Sequence, residues 1–551
     1  MISSTSWVSK GFPQQEPVMD YEVNDNEMNK INEMMKLSGI SQDEDLEESE
    51  KPSKDDYKYA DDEDLKKFNM DDYDDEPQTS AAQLFGSREF DKSFLKGANT
   101  YVDENGETFV ELPKVSGTGD NEGDEYDEEF ENLSGDDDDE KDDMIILPTD
   151  NLILASRTDV EGDLSFLEIY LFDEGETTKD FDREGSLYVH HDVMLPAFPL
   201  AVEWINYTPT SINYRKNLDE DRIGNFAAVA TFEPTIEVWD LDVPSKTIPT
   251  FMLKGHKGAV LSLSHNPMFR NVLVSGGSDG TIRVWDLNEA DSTANEDQAL
   301  SKGEKLKLKL HGKSKISSVK WLKSGMHILS AGYDSRIVVC DVSADKPKAD
   351  KSWKVPNNEE IESIELIGAD EKLVLIGTDS GTVYCFDLES ESGSKPLWAL
   401  DAHNGGISSV TSNAVIPNLF VTSAIAEKAI KVWKIDATTF KNPKLVTTRD
   451  FGVGNILTCN FAKDFEVSGY VNVGGVSGGL IVWDLFNNKV FKRQMAEEFT
   501  ALLKRKEVQE TYPNFIYKYT HSNASNNEIF VSTNAEEIDE EDSDKEDELE
   551  E

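Results

Sequence analysis

The sequence predicts an all-β chain: a seven-bladed β-propeller held between a disordered acidic N-terminal arm and an acidic C-terminal tail. Three observations lead there. A residue register repeats along the chain, seven apolar segments end alike, and the net charge is concentrated at the two ends.

The register comes first, because an internal repeat fixes the architecture before any single motif is weighed. The stretch SGGSDGTIRVWDLN begins at Ser275 and SAGYDSRIVVCDVS begins 55 residues later at Ser330. His256 and His311 each stand 19 residues before those serines, Asp279 and Asp334 follow them by four, and Trp285 or Cys340 closes the unit six residues later. Apolar segments with the same kind of end recur at Phe172, Trp239, Phe386, Trp433 and Trp483, so the seven ends are spaced by 67, 46, 55, 46, 47 and 50 residues. Four-stranded blades of the GH…WD type repeat at roughly 40–45 residues, and polar insertions account for the excess. Within a unit, short Val- and Ile-rich runs flank Asp-Gly, a strong hairpin signal. Residues 144–493 are therefore predicted as one seven-bladed propeller of the WD-repeat type, a plan in which radial repetition leaves only short sheet edges.

In that plan His256, Ser275, Asp279 and Trp285 form a buried hydrogen-bonded network, and His311, Ser330, Asp334 and Cys340 form a weaker copy. Trp supplies a large apolar surface and one N–H, whereas a thiol is a small hydrophobe and a weak donor. Elsewhere the pattern decays: Glu427, Ser380 and Ser477 stand where Asp is expected before Trp433, Phe386 and Trp483. The competing reading of His, Ser and Asp is a nucleophilic triad. It is disfavoured because the set occurs twice at one blade spacing, leaves Trp285 idle, and lacks the G-x-S-x-G turn that would expose the serine. No P-loop, H-E-x-x-H or C-x-x-C occurs, so no enzyme, cofactor, metal or small-molecule substrate is expected. His190 and His191 are adjacent, and strand neighbours point to opposite faces, so they are not expected to share an ion.

The arms follow from charge. Residues 1–143 carry 44 acidic against 13 basic residues and residues 535–551 carry 12 against 1, within a total of −55. Low hydrophobicity with high like charge cannot bury enough apolar surface to fold alone, so 1–143 is expected to be mostly disordered. Two short motifs lie in it. Trp7 and Phe12, within 1–15, are aromatic residues suited to anchoring in a partner's groove, with packing back on the propeller as the alternative. Residues 24–37 place Met28, Ile31 and Met35 on one helical face. After the last blade, 494–534 is expected to hold a C-terminal helix and extension. The helical pattern itself covers 491–510, with Pro513 soon after its end. The tail 535–551 closes the chain as a disordered segment.

Some functional expectations rest on these features. Ser134 and Ser543 have an acidic residue three positions on and are candidate phosphosites. Lys302, Lys305, Lys307, Lys309, Lys313 and Lys315 are candidate RNA contacts, although lysines guarding an edge strand would look the same. The acidic arms suit either solvation or basic partners such as histones. Cys340, Cys385 and Cys459 are odd in number and imply no disulfide framework. No apolar segment approaches the roughly 20 residues of a membrane span, so no membrane partner is expected.

The segments MISSTSWVSKGF, NLILASRTDVEGDLSFLEIYLFD, LYVHHDVMLPAFPLAVEW, AGYDSRIVVCD, GTDSGTVYCFD and RDFGVGNILTCNF together resemble the periodic tryptophan protein 1 family of eukaryotic WD-repeat proteins, over nearly the whole chain. What the resemblance implies is a scaffold in the nucleus and nucleolus that serves processing of ribosomal RNA. Its partners would be the pre-ribosomal particle of the large subunit and other assembly factors. A chromatin or histone-binding regulator of ribosomal-gene transcription is the alternative.

Overall fold

A computed structural model describes residues 1–18 and 144–532, apart from 161, 163, 178–181, 184, 213–220, 291–302, 345, 369 and 522–527. It also describes the backbone of a hairpin that pairs Asn99–Val102 with Thr108–Glu111. That hairpin belongs to a separate unit, Lys36–Asp137.

Seven four-stranded antiparallel sheets form the blades of a propeller. Blades 2 to 6 are continuous in sequence. Each runs from its inner strand outward, beginning at Pro199–Tyr207, Val260–His265, Ile316–Trp321, Ile361–Ile367 and Ile407–Ser412. The seven sequence-predicted blade ends all lie on third strands and are buried, with Phe172, Trp285, Cys340 and Trp483 wholly enclosed. They serve the blade-to-blade core: Trp239 packs with blade 1 residues, Trp285 with blade 2, and Trp433 with blade 5.

Both ends of the propeller differ from the expected 144–493. The inner strand of blade 1 is Ile2–Val8, paired antiparallel with Asn151–Asp159 so that Trp7 faces Ile153. The outer strand of blade 7 is Ile529–Val531, which returns to pair with Leu480–Asp484. The arm thus begins as part of the core. Its Ser/Thr-rich run hid the strand, because inner strands need few apolar residues. Side chains of one blade instead satisfy the backbone edge of the next. Ser4 Oγ accepts from Val202 N at 3.3 Å, Ser262 Oγ from Val319 N at 3.1 Å, Ser363 Oγ from Val410 N at 3.2 Å and Thr411 Oγ1 from Phe461 N at 3.2 Å. Asn460 Nδ2 closes the ring by donating to Thr5 O at 3.1 Å.

Trp7 and Phe12 are consequently not free anchors. Trp7 is 2% exposed, donates from Nε1 to Asn460 O at 3.2 Å and meets Phe172 edge-on at 6.0 Å. Phe12 packs edge-on against Trp204 at 5.0 Å. Residues 9–18 continue over blades 7 and 2, where Lys10 N donates to Asp464 Oδ2 at 2.9 Å and Gln14 N to Asp242 Oδ1 at 3.2 Å.

The helix expected over 491–510 is three short helices, α1 (Lys489–Gln494), α2 (Ala496–Leu503) and α3 (Lys506–Thr511), followed by α4 (Pro513–His521). Arg505 and Tyr512 are non-helical between them. Pro513 starts α4 rather than marking the end, since the first helical residue has no intrahelical N–H bond to lose. The segment 494–534 is therefore part of the propeller body. Phe491, Phe499, Phe515 and Tyr519 join the core of blades 6 and 7, with Phe486 within 5.2 Å of both Phe491 and Phe499, ring to ring. Lys518 on α4 reaches Glu174 of blade 1 at 2.9 Å and also bonds the Tyr470 hydroxyl, tying the C-terminal helices across the ring closure. Burial pushes the nearby Asp484 carboxyl up to about 6, even though Lys518 and the Tyr519 hydroxyl favour its charge.

Residues 24–37, the acidic segments 19–143 apart from the hairpin, Ser134, Ser543 and the tail 535–551 lie outside the described residues.

Candidate functional site

The first predicted network is built as follows. His256 sits in the link from blade 2 to blade 3, Ser275 on the second strand of blade 3, Asp279 in the following hairpin and Trp285 on the third strand. Gly280 completes the hairpin at φ +72°, where an added Cβ would come within 3.0 Å of Ser314 O. Trp285 Nε1 donates to Ser275 Oγ at 2.8 Å, Ser275 Oγ lies 2.7 Å from His256 Nε2, and His256 Nδ1 lies 3.1 Å from Asp279 Oδ1. A relay with Ser275 donating to Nε2 and Nδ1–H donating to Asp279 satisfies every partner. Burial alone would push the Asp279 carboxyl up, but bonds from His256, Thr281 and the Lys257 backbone hold it well below the usual range.

These distances would also suit a nucleophilic triad, and burial decides between the two. Ser275 and the His256 side chain have no exposed surface, so no substrate reaches the hydroxyl, which already binds the Trp285 indole. In blade 4, His311 lies 2.9 Å from Ser330 Oγ and 2.8 Å from Asp334 Oδ1, but the Cys340 thiol contacts Asp341 O instead of Ser330, so the chain of bonds stops one member short.

A second complete network, in blade 6, is not announced by a His, Ser, Asp register. His403 lies 2.8 Å from Thr422 Oγ1 and 2.6 Å from Glu427 Oε2, and Trp433 Nε1 donates to Thr422 Oγ1 at 2.9 Å. The signal was present, since His403 precedes Thr422 by the same 19 residues that separate His256 from Ser275. One extra hairpin residue goes with the longer acidic side chain. Burial opposes the Glu427 charge, yet the Asn404 backbone, His403 and Lys431 bring its carboxyl down to about 2. In blade 5 a carboxylate takes the histidine position. Glu359 Oε2 accepts from Thr378 Oγ1 at 2.9 Å and from Ser380 Oγ at 2.7 Å.

His190 and His191 correct the expectation that they diverge. The outer strand of blade 1 bulges here, with Ile169 opposite His191 and Tyr170 opposite Val189, so the skipped His190 turns to its neighbour. Their Nδ1 atoms are 2.7 Å apart, and His190 Nε2 bonds Met144 O at 3.0 Å. Burial brings the His191 imidazole down to about 3, helped by His190. Among the described residues no group of three or more His, Cys, Asp or Glu is arranged to hold a metal ion. No described helix is long and apolar enough to cross a membrane.

The candidate lysines separate by environment. Lys302 lies outside the described residues. On the outer strand of blade 3, Lys305 and Lys307 alternate with Leu306 and Leu308, which pack inward. Lys305 is engaged by Glu289 and lies 3.9 Å from Asp286. Lys309 and Lys313 are exposed in the link to blade 4, and Lys315 lies 5.9 Å from the centre of the Tyr333 ring. Burial pushes the three thiols up, Cys340 and Cys459 to about 11 and Cys385 to about 12, which keeps them protonated and inert.

A family model for the WD domain, G-beta repeat, matches residues 247–286 and 304–341. Each match runs from the outer strand of one blade through the third strand of the next, blade 2 into 3 and blade 3 into 4, where the His, Ser and Asp register is best kept. Periodic tryptophan protein 1 of Saccharomyces cerevisiae is 34% identical over 564 residues, covering 90% of each chain. The chain belongs to the periodic tryptophan protein 1 family. The family homolog of Drosophila melanogaster is 31% identical and spans 58% of this chain and 64% of its own length. A more distant relative, a ribosome biogenesis protein, ytm1, of Neosartorya fischeri, is 28% identical over 31% of this chain and 36% of its own.

Proposed function

We propose that the protein is a non-catalytic scaffold in biogenesis of the large ribosomal subunit, working in the nucleolus on the pre-ribosomal particle and alongside other assembly factors. The observation that carries this reading is the similarity to periodic tryptophan protein 1 over 90% of each chain, reinforced by a relative named for ribosome biogenesis. The chemistry of the described residues is compatible with it. The His, Ser and Asp sets are consumed by interior hydrogen bonds, while the propeller rim offers interaction surface.

A chain of net charge −55 repels nucleic acid at long range, so recruitment rests on protein contacts with short-range help from cations. Lys307, Lys309 and Lys313 supply such a local cationic sector. The acidic tail 535–551 favours a second reading, in which histones are the main partners. Sedimentation of the tagged full chain, with probing of the fractions for precursor ribosomal RNA, separates the two. Co-migration with large-subunit precursors is expected, and it should weaken when Lys307, Lys309 and Lys313 are changed together to Glu. Recovery chiefly with histones, abolished by removing residues 535–551, would overturn the ribosomal reading.

A further inference from the structure

The propeller face that carries the hairpins between second and third strands is divided into unlike sectors. Over blades 3 and 4 it presents Lys257, Lys309 and Lys313, all exposed. Over blades 7, 1 and 2 it presents large apolar side chains instead. Val160 and Leu164 flank the blade 1 hairpin at 67% and 44% exposure, Met194 ends the outer strand of that blade at 61%, and Phe232 tips the blade 2 hairpin at 61%. Phe198, in the link between blades 1 and 2, holds Phe232 in place, with ring centres 5.4 Å apart and Phe232 N donating to Phe198 O at 3.0 Å. Val476 extends the row onto blade 7. The internal packing of the fold does not require these side chains to face outward, and a contiguous exposed apolar patch usually marks an interaction site.

Around Met194 and Phe232 the exposed charges are carboxylates. Asp192 and Glu233 are exposed there, whereas the side toward blade 7 also carries cations, the Met1 ammonium on Thr158 O and Arg157, which bonds Glu168 at 2.9 Å. Carboxylates beside the patch disfavour a phosphate backbone or an anionic lipid surface. They favour apolar side chains accompanied by Lys or Arg. We infer that the blade 1–2 sector of this face is a docking site for a linear protein segment that presents Phe or Leu anchors interspersed with basic residues. The Phe198–Phe232 pair and Met194 form its apolar floor, and Asp192 and Glu233 face the basic residues. The inference does not depend on which particle the protein joins.

The test uses the full chain and a short fluorescein-labelled peptide in which Phe, Leu and Lys are interspersed with Ser, read by fluorescence anisotropy. Phe232→Asp and Met194→Asp should each weaken binding at least about tenfold, the effect of losing one anchoring side chain. Phe269→Asp, at an exposed position on the opposite face, should leave binding unchanged. The acidic replacement is deliberate, because a peptide held only by the charge of the acidic arms would bind the variants as well or slightly better. Equal affinity of all three variants and the parent would overturn the proposal. So would undiminished binding of a peptide with Ser in place of Phe and Leu, or failure of the parent chain to bind the probe at all.

Discussion

Trp7→Ala tests whether the first eight residues are an arm or a strand. Trp7 is 2% exposed within the inner strand of blade 1, donates to Asn460 O of blade 7 and packs edge-on against Phe172. A buried Trp removes about 150–250 Å² from water, worth about 4–6 kcal/mol at ~25 cal/mol per Å². Allowing for what Ala still buries, the expected cost is about 3–5 kcal/mol. Trp7→Phe keeps most of that area and loses the hydrogen bond, so it should cost about 1–2 kcal/mol. Urea unfolding followed by far-ultraviolet circular dichroism reads both values, since strand content dominates the propeller. The ordering parent, Trp7→Phe, Trp7→Ala in midpoint is the expected result. A Trp7→Ala midpoint equal to that of the parent would mean that the N-terminal segment does not close the ring, and the placement of Ile2–Val8 would be refuted.

Three further outcomes are expected. Trp285→Ala removes the donor to Ser275 and a wholly buried indole, so it should cost about 3–5 kcal/mol in urea unfolding, clearly more than Cys340→Ala, where no network bond is lost. Truncation after Ser532 should preserve the folded propeller. Truncation after His521 removes Ile529–Val531 and the Glu528 acceptor of Trp483 Nε1, and should speed proteolysis of blade 7. The His191 imidazole has its folded pKa lowered from 6.5 to about 3, so the unfolded chain binds the extra proton. Stability from this site is full above about pH 6.5 and falls as the pH drops toward 3. The parent should lose about 1–2 kcal/mol more than His191→Phe between pH 7 and pH 5 in urea midpoints.

The blade number, the order of blades 2 to 6 and the network at His256, Ser275, Asp279 and Trp285 were legible in the chain because each is written locally. A blade places its four network residues within about thirty positions, so spacing alone brings His, Ser, Asp and Trp together. The same 19-residue interval would have exposed His403 and Thr422 had Thr been allowed to stand for Ser. Other features were decided only by the tertiary structure. Ile2–Val8 and Ile529–Val531 become strands because blades 1 and 7 would otherwise each lack a member; the first is too rich in Ser and Thr and the second, at three residues, too short to announce itself. The Ser- and Thr-rich inner strand carries polar side chains that satisfy neighbouring blades, which reads in sequence as a linker. His190 and His191 meet through a bulge whose register depends on the partner strand. Segregation of the rim into a lysine sector and an apolar, acid-edged sector likewise arises from closure of the ring. Closure places the hairpins at 160, 232 and 476 side by side, although more than 300 residues of sequence separate the first from the last.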